Sequence, residues 1–191
     1  MSATSYTPQE AAAVSGARVA AIQKAITARK IPTRPVGPTK RRQLDETALL
    51  AFALAEALPE ALHLSPGDAY ALLRGTDRGV GELMIGEVVR IDTARVLAAT
   101  RRRLQLYDRA REIIVSDPVI MGGAPTIRGT RITTWSILGR LEDGDSVETV
   151  LEDYPYLDRE AVEAAALHAR ANPPRGRPSG KLSGQPWRRA S

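Results

Sequence analysis

Helix-start signals recur at short intervals along this chain and limit it to short helices separated by turns. Thr7-Pro8-Gln9-Glu10 is the first: Thr7 reads as an N-cap, Pro8 as the first helical residue, and Glu10 as the acid that closes a capping box. Ser65-Pro66-Gly67-Asp68 repeats the cap-plus-proline start. Asp45, Asp92, Thr133 or Thr134, Asp145 or Ser146, and Asp158 stand as caps before the other helical stretches. A chain punctuated in this way builds a mainly α fold.

The first helix runs through Ala11, Ala12, Ala13 and Val14 and stops at Ser15-Gly16. The second spans Ala17 to about Arg29, with Val19, Ile22 and Ile26 on one face. Lys30-Ile31-Pro32 ends it, because Pro32 lacks an amide and biases Ile31 away from helix. Two short helices around a tight glycine turn form a helix-turn-helix pattern. From Thr33 to Leu44, Pro and Gly at the centre predict two short strands around a turn, a wing. The Ala/Leu-rich helix after Asp45 runs to Leu58, and its composition predicts burial against the first two helices or a second subunit.

Farther along, a helix opens at Ser65-Pro66 and reaches about Arg74, and Gly75 to Gly81 is a turn. Glu82 to Ile91 reads as one strand, interrupted if anywhere at Gly86. Asp92 caps a long helix through Glu112, with Val96, Leu97, Leu104 and Tyr107 at helical spacing. A short strand at 113–115 and an extended piece at 125–133 form a small hairpin, with Gly122, Gly123 and Gly129 at its turns. Three helices follow, at 134–142, 146–154 and 158–171. The tail from Asn172 is rich in Pro, Gly, Ser and Arg and cannot bury a core. The expected fold is mainly α with small β elements: an N-terminal winged helix-turn-helix and a C-terminal trihelical, helix-turn-helix-like domain with a short β-hairpin. The expected division is 1–64 for the winged helix-turn-helix, 65–112 for a middle helix-strand-helix segment, 113–171 for a dimerisation or docking domain, and 172–191 for a flexible basic tail.

Charge is distributed unevenly. The net charge is +5, with 43% hydrophobic and 26% charged residues and only 4% aromatic, so the core must be built from Ala, Leu, Val and Ile. Residues 1–43 carry eight basic side chains against the single acid Glu10, and residues 172–191 carry five basic side chains and no acid. The stretch between them is acidic. Basic ends on an acidic body point to a polyanionic partner, or merely to solubility. With no cysteine there is no disulfide or thiolate metal site. No apolar run is long enough to span a membrane and no signal peptide is visible, so a cytoplasmic protein is expected.

Catalytic signals are missing. His63 and His168 lie in different segments without metal or triad spacing, and His168 reads as a surface or interface residue. No phosphate-binding loop, zinc-protease motif or nucleophile elbow is present, so neither an enzyme nor a cofactor is expected. DNA binding has better support. The second helix of a helix-turn-helix enters the major groove, where Arg18, Gln23 and Lys24 could read bases. Lys40, Arg41 and Arg42 on the wing would hold phosphates. So few reading residues imply a homodimer on two half-sites. Arg101-Arg102-Arg103 is either a nucleic-acid patch or, as is commoner, a solvated helix face.

Two resemblances sharpen this reading. Tyr6 to Ala12, Lys30-Ile31-Pro32 and Lys40-Arg41-Arg42 resemble the MerR/excisionase type of winged helix-turn-helix, without the aromatic residue that usually ends its recognition helix. Asp117 to Ile132, with Leu141 to Ser146 and Asp153 to Leu157, resembles the domain of unknown function 433. That resemblance implies a VapB-like antitoxin of a type II toxin-antitoxin system, which neutralises a PIN-like ribonuclease toxin and represses its own operator DNA. A stand-alone transcriptional regulator is the competing expectation. Under the antitoxin reading Arg175, Arg177, Arg188 and Arg189 would meet toxin carboxylates, with Trp187 as an apolar anchor; a solubilising tail is the alternative.

Overall fold

The computed structural model describes residues 4–38, 41–58, 64–75, 81–85 and 87–174. These form a mainly helical protein with short antiparallel strands. In chain order they are α1 (Pro8–Ser15), α2 (Val19–Thr27), β1 (Arg34–Val36), β2 (Arg41–Gln43), α3 (Glu46–Ala57), α4 (Pro66–Arg74), β3 (Glu82–Ile85), β4 (Val89–Asp92), α5 (Thr93–Ile113), β5 (Ile114–Val115), β6 (Thr126–Ile127), α6 (Thr134–Glu142), α7 (Val147–Asp153) and α8 (Arg159–Ala171). Each helix except α2 begins with a side-chain cap. Thr7 Oγ1 accepts from the Glu10 amide at 3.3 Å while Glu10 Oε2 accepts from the Thr7 amide at 2.6 Å, the reciprocal box read from the sequence. Asp45, Ser65, Asp92, Thr133, Ser146 and Asp158 cap the others.

Two hydrophobic cores result, and α8 belongs to both. One gathers α1 to α5 around Tyr6, Ile22, Leu49, Phe52, Leu97 and Tyr107. Helix α3 is buried continuously from Ala48 to Leu54, as a helix that is apolar all round must be. Its partners are α1, α4 and α5. The other core joins Ile127, Ile137, Val150 and Val162. Helix α8 sends Val162, Ala165 and Ala166 into this second core, and Leu167 and Ala171 into the first. Its alanines explain how: without bulk on Ala161, Ala164 and Ala169, neighbouring helices approach it closely on more than one side. It packs on α1 and α5 as well as on α6 and α7.

The stretch from Glu82 to Ile91 corrects the expectation of one strand. It folds back as a hairpin, with β3 antiparallel to β4 and Leu83 opposite Ile91. A lone strand there would leave its amides and carbonyls without partners, whereas the hairpin pairs them. Helix α2 is also shorter than expected, because Arg18 takes an extended N-cap conformation. It ends through Arg29 at φ 54°, with the Lys30 amide donating to Ala25 O at 3.0 Å. Pro32 therefore lies beyond the stop instead of making it. Among the described residues no helix is long and apolar enough to cross a membrane.

Candidate nucleic-acid interface

Helix α2 buries Ile22, Ala25 and Ile26, so Ala20, Gln23, Lys24 and Thr27 fall on its outward face. Arg18 is exposed at its start, and Arg29 and Lys30 are exposed just past its end. The β1–β2 hairpin follows, with Arg34 opposite Gln43 and Val36 opposite Arg41. Arg34, Arg41 and Arg42 are exposed on it. Lys40 lies outside the described residues, as do His63 and the tail residues Arg175, Arg177, Trp187, Arg188 and Arg189.

Several arginines outside this group are paired. In the acidic body Arg102 pairs with Glu163 at 2.9 Å, Arg140 with Asp145 at 2.6 Å and Asp153 at 2.7 Å, and Arg159 with Glu148. Arg111 sits 3.6 Å from Glu10, its guanidinium 4.6 Å from the centre of the Tyr6 ring and 5.1 Å from that of Tyr107. Among the described residues, Arg18, Lys24, Arg29, Arg34, Arg41 and Arg42 form no ion pair. The run at 101–103 is used in packing. Arg103 Nε donates to Val14 O at 2.7 Å, closing the end of α1, and Arg101 reaches Thr93 O and Ala94 O at 3.4 Å. Arg102 alone of the three stays exposed, paired with Glu163.

Gln23, Arg41 and Arg42 come together on one wall of a cleft of about 1370 Å³. Ser116, Pro125, Trp135 and Asn172, from the carboxy-terminal half of the chain, line the same cleft and make up its far wall. Arg18 and Lys24 are not among its lining residues. Sequence reasoning missed the far wall, since its residues stand more than ninety positions from Gln23 and carry no local motif.

A chain of hydrogen bonds joins Trp135 to α1, the helix that packs on α2. The Tyr107 hydroxyl donates to Glu10 Oε1 at 2.7 Å and accepts from Asn172 Nδ2 at 3.1 Å. The Asn172 carbonyl accepts from Trp135 Nε1 at 3.2 Å. Burial, reinforced by the Glu10 charge, holds the Tyr107 phenol well above its ordinary range, so it remains a donor. Across α3, burial and the bond to Asp45 push Tyr70 up to about 12. His168 stacks on Tyr107 with ring centres 6.4 Å apart, and its buried Nδ1 has no hydrogen-bond partner among the described residues. Desolvation lowers its pKa while Glu10 opposes the shift.

Elsewhere in the 113–171 region, Val119, Tyr156 and Met121 are 88%, 65% and 49% exposed. Val119 and Tyr156 flank a concavity with Arg131. Arg128 instead donates to Glu112 O at 2.8 Å, a backbone role. Among the described residues no group of three potential ligands could hold a metal ion.

Residues 114–169 match the family model described as a protein of unknown function, DUF433. The chain is 37% identical over 137 residues to the uncharacterized protein y4eO of Sinorhizobium fredii. That match covers 72% of this chain and 59% of y4eO, so the chain spans less than two thirds of that relative. Among solved structures, the crystal structure of Rv2018 from Mycobacterium tuberculosis aligns at 15% identity over 84% of this chain and 95% of that one, with a TM-score of 0.31. The segment from residue 114 to residue 169 is thus a DUF433 domain.

Proposed function

We propose that this chain is an operator-binding antitoxin whose amino-terminal winged helix-turn-helix, α1-α2-β1-β2, represses its own transcription. The observation that carries the DNA-binding half is the row of exposed cations on α2 and the β1–β2 hairpin without carboxylate partners. Other exposed arginines without an ion pair among the described residues, such as Arg74, Arg95, Arg131 and Arg170, are spread over α4, α5, the turn after β6 and α8, whereas these stand on one helix and the hairpin that follows it. Unpaired cations on a helix and an adjoining hairpin suit phosphates, and counterion release supplies the affinity. Arg18, Gln23 and Lys24 supply base contacts, and Lys40, Arg41 and Arg42 hold the backbone.

The antitoxin half rests on the DUF433 domain and its exposed apolar side chains Val119, Met121 and Tyr156, which favour a protein partner. That partner is a PIN-like ribonuclease, met by the basic tail through Arg175, Arg177, Trp187, Arg188 and Arg189. A homodimer in the cytoplasm, reading two half-sites, completes the proposal.

A mobility-shift assay on the chain's own upstream DNA tests the first half, with affinity expected to fall steeply as salt rises. Absence of a shift at low ionic strength sinks it. Deleting the residues after Asn172 and assaying neutralisation of the neighbouring ribonuclease tests the second. Unchanged inhibition removes the role of the tail, and a locus without such a ribonuclease favours a stand-alone regulator.

A further inference from the structure

We infer that the DUF433 domain forms the second wall of the nucleic-acid site, so that the sugar–phosphate backbone of bound duplex DNA runs between α2–β2 and the pair Ser116 and Trp135. This rests on the DNA-binding reading above and extends it to a domain otherwise cast only for protein contacts.

Three observations converge. Among the described residues that line the cleft none is acidic, although the body of the protein is rich in acids. Arg41 and Arg42 enter it without carboxylate partners, so the space carries uncompensated positive charge. Gln23 faces the same space from α2, and its amide can pair with a base edge while the arginines hold phosphates.

The far wall complements this. Trp135 is half-buried, its Nε1 is already committed to Asn172, and its ring is left as an apolar surface for deoxyribose. Ser116 is exposed beside it and offers a hydroxyl to a phosphate oxygen. Trp135 is held in place, because Glu10, Tyr107, Asn172 and Trp135 form one hydrogen-bonded series from α6 to α1, the helix that packs on α2. A site held before binding loses less ordering entropy when DNA enters.

The test uses the full chain with Trp187→Phe, which leaves Trp135 as the only tryptophan. Duplex DNA from the upstream region is titrated in low salt, with emission and mobility shift read together. Trp135 emission should change on binding. Ser116→Glu, at an exposed position, should weaken binding about tenfold by setting like charge against phosphate, and Ser116→Ala should weaken it by a few-fold through loss of the hydroxyl contact. Both signals are required. Duplex binding with unchanged Trp135 emission, or with Ser116→Glu as tight as the parent, overturns the two-walled cleft and leaves DNA binding by α2 intact. A parent protein that binds no duplex overturns both. Trp135 emission that answers to poly-glutamate but not to duplex would seat an acidic peptide there and overturn the inference as well.

Discussion

The Tyr107 hydroxyl donates to Glu10 Oε1 at 2.7 Å, joining residues 97 positions apart in the chain. Glu10 already closes the capping box of α1, and its other oxygen accepts from the Thr7 amide. One carboxylate therefore serves a local helix start and a distant helix at once. Tyr107 passes the connection on to Asn172 at the end of α8. The amino-terminal helices and the DUF433 domain are thereby tied through polar contacts as well as through the core they share around Leu167 and Ala171.

Tyr107→Phe keeps the buried ring and removes both hydrogen bonds. Glu10 retains the Thr7 amide and Arg111, so its charge is not stranded. The expected loss is about 1–2 kcal/mol, the net value of such bonds plus the Asn172 donor left unpaired. Urea denaturation should show a lower midpoint with an unchanged slope. A midpoint equal to that of the parent would mean that the series does not hold the two regions together.

His168 stacks on the same ring and gives the fold a pH dependence. Its folded-state pKa is depressed below the ordinary 6.5 by burial, with Glu10 acting in the opposite direction. As pH falls, the unfolded chain takes up this proton first. The His168 contribution is therefore full above pH 6.5 and is lost as pH drops below that value through the lower folded pKa. Thermal melts followed from neutral to mildly acidic pH should show Tm falling, and His168→Gln should flatten the part of the slope just below 6.5. Identical slopes for the two proteins would count against this assignment.

Arg29 ends α2 at φ 54°, a conformation that costs most L-residues about 1–2 kcal/mol and glycine almost nothing. Arg29→Gly should stabilise the protein by about 0.5–1 kcal/mol once the extra freedom of glycine in the unfolded chain is subtracted. Calorimetry reads this directly. The same change removes an exposed cation next to the outward face of α2, so under the proposed function DNA affinity should drop slightly while Tm rises.

Much of this architecture is legible in the residue order because its determinants are local. A cap such as Asp45 or Asp158 acts on an amide three residues away, and the all-round apolar run from Ala48 to Leu54 announces burial by itself. What stays hidden depends on residues distant in sequence. Glu82 to Ile91 alternates well enough for one strand, and only the absence of a neighbouring strand makes it turn back on itself. Nothing near Trp135 shows that it lines one cleft with Gln23, since the two are more than a hundred positions apart. The arginines at 101–103 look like a surface patch until α1 is seen to end against Arg103.

The cationic hairpin and the helix beside it should fail in different ways when altered. Phosphate contacts position a duplex without reading it, so replacing Lys40, Arg41 and Arg42 together by Ala should weaken specific and nonspecific DNA alike. It should also flatten the plot of log affinity against log salt by about two to three, roughly one for each phosphate no longer neutralised. Gln23→Ala leaves those charges in place and removes an amide from the outward face of α2. Its salt slope should match the parent, while discrimination between the upstream sequence and a scrambled duplex shrinks by about 1–3 kcal/mol if the contact is bidentate to adenine. Gln23, Arg41 and Arg42 are exposed, and among the described residues none of their side chains carries a hydrogen bond that closes an element, so their loss leaves the fold intact. A Gln23 variant that lowers affinity for both duplexes equally would assign α2 a phosphate-binding role, and base readout would then have to come from Arg18 and Lys24.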